Sequence, residues 1–179
     1  MRAILPVRLR QALEVGIQGK LCVTAWHGYP HTLYIGFGEI VLPAPGWEVS
    51  QSQPPYEIQT DFSRWRVEEY SEVRGTSADP EEQTDAACEL LVGCRVLEWE
   101  LEAITYDLTL RFEGERGLTI TPLTEPGALG HTAWALRTRA GKYLEVCCGG
   151  ELFSIDEQEP YSRAARQLEP PLDGSLSPN

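Results

Sequence analysis

Three residues near the N-terminus, Cys22, His27 and His31, are of the types that bind zinc. Imidazole and thiolate are the ligands that zinc prefers, and Cys147 or Cys148 is a candidate fourth ligand. However, the two histidines flank a turn, where exposed polar side chains are common, and adjacent strand residues such as Cys147 and Cys148 point to opposite faces. We therefore expect surface histidines and packed thiols, and we assign neither a metal nor a cofactor.

Local motifs of catalysis do not occur in this sequence. It contains no G-x-S-x-G, H-E-x-x-H or P-loop pattern, and Gly36-Phe-Gly38 lacks the third glycine of a dinucleotide fingerprint. A dispersed Ser-His-Asp triad would leave no local pattern, because its members converge only in space. The favoured interpretation is a non-enzymatic protein. The alternative is a small-molecule or metal-dependent enzyme that uses His27 or His31 in a cleft between two halves of the chain.

Alternating carboxylates form the most distinctive surface pattern, at Glu98, Glu100 and Glu102. On one strand face, these three side chains span about 13 Å at a rise of ~3.3 Å per residue. Such a row can dock a cationic protein and accelerate the encounter, or it can simply solvate an exposed sheet face. Trp47, in a loop rich in proline and glycine, is a candidate interface anchor, although it can equally fold back to cover the sheet.

The carboxylates need a strand to align them, and the residues around them predict one. Two consecutive segments alternate apolar and polar residues and indicate a β-hairpin: 97–103 and 108–112. A four-residue connection between them predicts that Trp99 faces Phe112 on the buried side. The same register places Glu100 opposite Arg111 on the exposed side.

Similar patterns elsewhere predict the remaining elements. Expected strands are 20–27, 32–42, 56–60, 65–68, 118–121, 133–138, 142–146 and 152–155. Expected helices are 9–17, 80–92 and 161–168. The second helix is predicted to start with Asp79 as its N-cap and Pro80 at its first position. In the first strand, Leu21, Val23 and Ala25 are expected to share the buried face. The predicted fold class is α+β, with mainly antiparallel β-sheet meanders and two or three short helices.

The two halves of the chain present these elements in the same order. Gly19 aligns with Gly93, and the strand at 33–37 aligns with that at 108–112. In the same alignment Tyr56 matches Trp134, and Trp65 matches Tyr143. This order predicts an internal duplication of a helix plus four-strand unit. The alternative is that two antiparallel meanders of alternating residues align by chance. The expected organisation is a first α+β half at 1–75, a second half at 76–156 packed on it as one compact unit, and a short helix with a mobile tail at 157–179.

The composition is that of an acidic protein with enough apolar residues to form a core. Of the 179 residues, 42% are hydrophobic, and 27 acidic against 15 basic side chains leave a net charge of −12. That charge repels phosphate backbones and anionic lipid surfaces. No segment approaches the roughly 18 uninterrupted apolar residues of a membrane helix. We therefore expect neither nucleic acid nor a membrane as a partner.

The cysteines and the N-terminus indicate the compartment. Five cysteines form an odd set without CxxC spacing, as expected of reduced thiols. Pro6 and Arg8 interrupt the short apolar run at the start of the sequence, which therefore does not match a secretory signal. The expected location is the cytoplasm.

Four runs in the second half are similar to those of small, uncharacterised cytoplasmic bacterial proteins: 93–96, 107–112, 134–138 and 141–146. Some proteins of that kind are encoded near polymorphic toxins and are proposed immunity proteins. The resemblance transfers no catalytic residue. It implies a protein-binding module whose acidic sheet face occludes the basic active site of a toxin. A homodimer that pairs exposed strand edges across a two-fold axis is a further alternative.

Overall fold

The computed structural model describes residues 4–28, 31–39 and 53–156. The helices in these ranges are α1 (Ile4–Gly16) and α2 (Glu81–Glu89). The strands are β1 (Cys22–Gly28), β2 (Thr32–Phe37), β3 (Tyr56–Thr60), β4 (Ser63–Glu69), β5 (Glu72–Thr76), β6 (Val96–Leu101), β7 (Leu108–Phe112), β8 (Arg116–Pro122), β9 (Thr132–Arg137), β10 (Lys142–Cys147) and β11 (Leu152–Asp156). The third predicted helix, at 161–168, lies outside the described residues.

The strands form two antiparallel sheets. One sheet has six strands in the order β1-β2-β3-β9-β10-β11, and the other has five in the order β5-β4-β8-β7-β6. Every pair of neighbouring strands in the two sheets is antiparallel. This arrangement confirms the predicted α+β class dominated by antiparallel sheet.

Both helices bury one apolar stripe. Leu9, Leu13 and Ile17 recur at intervals of four residues, and all three are buried. Ala87 in α2 and Leu91 just after it are also four residues apart and buried. This spacing places the apolar side chains on one helix face, which packs on the sheets. None of the helices in the described ranges has the length and hydropathy needed to cross a membrane.

The start of α2 differs from its predicted capping. Pro80, not Asp79, is the N-cap residue, and its side chain makes no capping hydrogen bond. The Asp79 carboxylate instead accepts hydrogen bonds from the backbone N–H of Thr76 at 2.8 Å and from its hydroxyl at 3.0 Å. The aspartate therefore stabilises the turn that leads from β5 into the helix, because that turn presents unpaired donors of its own.

The two helices lie along sheet edges. Helix α2 contacts both β1 and β5, which are edge strands of different sheets. Helix α1 contacts the edge strand β11, and its Arg10 guanidinium donates to the carbonyl oxygen of Leu101 in β6 at 2.9 Å. Each helix therefore flanks one edge strand from each sheet, where a bare strand would expose unpaired backbone groups.

The hairpin of β6 and β7 is confirmed, but its register differs by two residues from the prediction. Trp99 pairs with Leu110, and Glu98, not Glu100, pairs with Arg111. Strand β6 ends at Leu101. The connection to β7 is therefore longer than the four residues that the sequence predicted. Within it, the Glu102 carboxylate accepts hydrogen bonds from the turn that follows.

A β-bulge interrupts the alternation in both β1 and β6. The register shifts between Cys22 and Thr24 in β1, and between Val96 and Glu98 in β6. Each bulge adds one residue to its strand and so reverses the face of every residue before it. The predicted buried face of β1 is therefore wrong at its start, since Cys22 is fully buried and Leu21 is 38% exposed.

The strand pairing reveals a structural repeat of one helix and five strands. The first half contributes β1, β2 and β3 to the six-stranded sheet and β4 and β5 to the other. The second half contributes β6, β7 and β8 to the five-stranded sheet, and β9 and β10 to the first. The halves therefore exchange their last two strands, and β11 is an addition to the second half.

Backbone hydrogen bonds at the junction of the halves are reciprocal. The N–H of Gly19 donates to Val96 at 2.9 Å, and the N–H of Gly93 donates to Cys22 at 2.8 Å. These residues match at a constant spacing along the two halves, and an antiparallel bridge between Leu21 and Arg95 lies among them. Reciprocal contacts of this kind indicate a local two-fold relation between the halves.

This topology changes the alignment of the third and fourth repeated strands. β3 pairs with β2 as β8 pairs with β7, so β3 corresponds to β8 and not to β9. β4 then corresponds to β9, which makes Trp65 equivalent to Trp134 and not to Tyr143. The sequence alignment skipped β8 because it could not distinguish one alternating strand from the next.

One hydrophobic cluster contains residues of both sheets and both helices. Trp65 of β4 and Trp134 of β9 are its largest fully buried side chains. Segments 1–75 and 76–156 share this core, since each supplies strands to both sheets.

Candidate functional site

The predicted carboxylate row lies on the outer face of the five-stranded sheet, at its β6 edge. We call this surface the outer sheet face. Two rows of paired residues cross it: Glu100, Thr109, Thr119 and Arg66 in one, and Glu98, Arg111, Gly117 and Glu68 in the other. Glu98 and Glu100 are exposed, as the alternation predicted.

Arginines accompany the carboxylates on this face. Arg111 lies 3.9 Å from Glu98 between the Nε and Oε2 atoms, and both side chains are mostly exposed. Arg66 pairs with Glu68 at 2.9 Å on the β4 side. An exposed pair contributes at most about 1 kcal/mol to stability, because water screens it. The outer sheet face is therefore negative along β6 and carries both charges toward β4.

Glu102 has a local structural role. Its carboxylate accepts hydrogen bonds from the backbone N–H of Thr105 and of Ile104, and from the Thr105 hydroxyl. These hydrogen bonds lower the pKa of Glu102, and the bond from the Thr105 N–H has the largest effect. Because the turn donors engage this carboxylate, Glu102 is not equivalent to Glu98 and Glu100.

The bulge in β6 turns an apolar side chain toward solvent. Leu97 is 49% exposed, although the alternation predicted that it would be buried. It borders a groove of about 710 Å³ on the outer sheet face, together with Glu100, Thr109 and Arg66. An apolar residue surrounded by charges is a typical centre of a protein interface.

Trp47, the other predicted interface residue, lies outside the described residues. It stays a sequence prediction.

His27 makes contacts that resemble a catalytic triad. Its Nδ1 lies 3.0 Å from Asp85 Oδ1, and the Thr84 hydroxyl lies 3.2 Å from its Nε2. However, that hydroxyl is also 3.4 Å from Nδ1, so it lies beside the ring and not in line with one nitrogen. Thr84 is also buried and donates to the carbonyl of Glu81 at 2.8 Å. The arrangement therefore positions α2 on β1 and offers no accessible nucleophile.

The thiols are buried. Burial raises the pKa of Cys22 to about 12, and the neighbouring thiols Cys94 and Cys88 add to the rise. A thiol must lose its proton to act as a nucleophile or a metal ligand. Among the described residues, no three His, Cys, Asp or Glu side chains lie close enough together to hold a metal ion.

A cavity of about 900 Å³ lies where five chain connections meet. We call it the loop-end cavity. Each connection contributes at least one lining residue: His31, Asp61, Ser77, Asp107 and Leu123. Both halves of the chain therefore border it. Of the two histidines that the enzyme alternative expected in a cleft between the halves, His31 lines this cavity and His27 does not. No signal in the sequence marked Asp61 and Asp107 as site residues, because aspartate is an ordinary turn residue.

Comparison with known proteins returned no match to a protein-family model, a curated protein or a solved structure.

Proposed function

We propose that this chain is a non-enzymatic protein-binding module that docks a cationic protein on its outer sheet face. The observation that carries the proposal is the β6 side of that face. There, Glu98 and Glu100 are exposed on an edge strand, next to the Leu97 side chain that the bulge turns outward. An apolar centre with a charged rim is the usual anatomy of a protein interface.

Charge indicates which partner fits. The chain has a net charge of −12, and the β6 side adds local carboxylates that Arg111 only partly offsets. A basic protein surface would be attracted at long range and then aligned by the arginines toward β4. The resemblance to proposed immunity proteins favours a toxin with a basic active site as this partner.

The test uses the protein encoded by the adjacent gene as the candidate partner. Its association rate is measured by stopped-flow fluorescence at low and high salt, for the wild type and for Glu98→Lys/Glu100→Lys. The variant should associate at least about tenfold more slowly at low salt, because steering depends on local charge. High salt should reduce the difference.

A matched control separates local charge from net charge. Glu81→Lys/Glu82→Lys makes the same change in net charge on the exposed start of α2, and it should slow association much less. Equal effects of the two double variants would contradict a docking role of the outer sheet face. Leu97→Ser should speed dissociation, because it removes the apolar centre.

A further inference from the structure

The loop-end cavity combines apolar and polar walls. Phe62 stacks on the His131 ring with centroids 4.4 Å apart, and Leu123 lies beside them, half-buried. Hydroxyl groups also line it, among them those of Ser77 and Thr121. About 900 Å³ is within the range of sites for small organic molecules.

The loops around the cavity hold strained backbone. His31 has a φ of 137°, and Tyr106, next to the lining residue Asp107, has a φ of 58°. Both values lie in the left-handed region that disfavours side chains with a Cβ. Tryptophan indoles hold both residues through their carbonyl oxygens. Strain of this kind persists only where surrounding contacts enforce it, and it concentrates at ligand sites.

The cations at the cavity already have partners. Arg64 pairs with Glu125 at 2.7 Å, and Arg66 pairs with Glu68 at 2.9 Å. These contacts neutralise the positive charges at the rim. The arginines therefore do not balance further carboxylates in the cavity.

Two aspartates at the cavity form no salt bridge with an arginine or a lysine among the described residues. Asp107 Oδ1 is buried and accepts no hydrogen bond. Asp61, on the connection between β3 and β4, also lines the cavity, and burial raises its pKa against the opposing effect of His131. A buried carboxylate oxygen without a donor is costly, and a cation bound in the cavity beside Asp107 would offset the charge of that carboxylate.

We propose that the loop-end cavity binds a small organic cation, an ammonium or guanidinium group on an apolar body, with Asp107 and Asp61 as counter-charges and Phe62 and Leu123 around the apolar part. This activity is distinct from docking on the outer sheet face. The cavity shares Arg66 and Thr119 with one row of that face, but the two aspartates lie outside both rows.

The test titrates n-butylguanidinium into the ¹⁵N-labelled full chain and follows the amide shifts by NMR. n-Butylurea is the neutral isostere, and butyrate is the anionic control. We expect n-butylguanidinium to bind with a Kd of about 1 mM or tighter and to shift the amides of Phe62, Ser77 and Asp107. n-Butylurea should bind at least about tenfold more weakly. Equal binding of the two probes, or no shift at the cavity, would overturn the proposal.

Variants identify the counter-charges. Asp107→Asn and Asp61→Asn should each weaken n-butylguanidinium binding about tenfold, whereas Glu89→Gln, on the exposed end of α2, should leave it unchanged. If Asp107→Asn does not fold, the Asp61→Asn variant and the comparison with n-butylurea still test whether the cavity binds the cation through its charge. Equal losses in all three variants would attribute binding to net charge and refute the site.

A competition experiment separates the two sources of such a cation. A free small molecule and an arginine side chain of the docked protein present the same group. Saturating n-butylguanidinium should leave the affinity for the protein partner unchanged. Competition between them would assign the cavity to the partner's side chain and overturn the small-molecule proposal. Failure of docking on the outer sheet face would leave the NMR result intact.

Discussion

Trp65 and Trp134 are equivalent residues in the two sheets, and their indole groups make the same contact. Each N–H donates to the carbonyl oxygen of a hairpin connection, that of Trp65 to His31 at 2.8 Å and that of Trp134 to Tyr106 at 3.1 Å. Each acceptor residue has a positive φ. The two tryptophans therefore fix both connections at the same end of the fold.

This relationship predicts equal costs for two substitutions. Trp65→Phe and Trp134→Phe each remove a donor from a carbonyl and leave space in the core, so each should lower the free energy of unfolding by about 2–4 kcal/mol. Urea denaturation measures the loss. Trp26→Phe is the control, because Trp26 is half exposed and stacks on Tyr34. A large loss in only one of the two core variants would contradict their equivalence.

Close packing of α2 on β5 depends on a glycine. A Cβ at Gly75 would lie 2.6 Å from the Ala87 Cβ and 3.1 Å from the carbonyl oxygen of Gln83. Gly75→Ala should therefore destabilise the protein by about 1–3 kcal/mol, because helix and strand must separate. Gly127→Ala is the matched control, since nothing lies within 4 Å of the position that a Cβ would take there. Thermal unfolding compares the two, and equal stability would show that the helix does not pack as described.

The turn closed by Glu102 should respond to pH. Its folded-state pKa lies below the ordinary value of 4.5, so its contribution is complete above that value and disappears as the pH falls through the folded pKa. Glu102→Gln should therefore be less stable than the wild type at pH 7, and the difference should shrink at pH 3. Urea denaturation at both pH values measures it. A difference that is unchanged at pH 3 would rule out the ionised carboxylate as its source.

The buried thiols should resist alkylation in the folded protein. Cys22 and Cys88 each have a pKa raised to about 12, mainly by burial, and all five cysteines are buried. Iodoacetamide at pH 8 should modify all five only in urea, and mass spectrometry counts the adducts. Fast modification of Cys22 in the native state would show an accessible thiolate and would restore the hypothesis that this residue is a zinc ligand.

Alternation of apolar and polar residues predicted part of the outer sheet face but not all of it. Period-2 alternation correctly predicted that Glu98 and Glu100 are exposed, because side chains on a strand alternate between faces. It failed at Leu97, since a bulge needs no distinctive residue type and is specified by contacts with the neighbouring strand. Glu102 is exposed as predicted, but it follows the last residue of β6, and its hydrogen bonds depend on the shape of the turn there.

The sequence by itself determined the helical stripe of Leu9 and Leu13, the antiparallel hairpins and the acidic charge, because these depend on residues near one another in the chain. Only the tertiary structure decided that the halves exchange strands, that Trp65 corresponds to Trp134, and that Asp61 meets Asp107 around one cavity. These features join residues far apart in sequence. Many alternating strands can pair equally well locally, and only packing in a shared core selects among them.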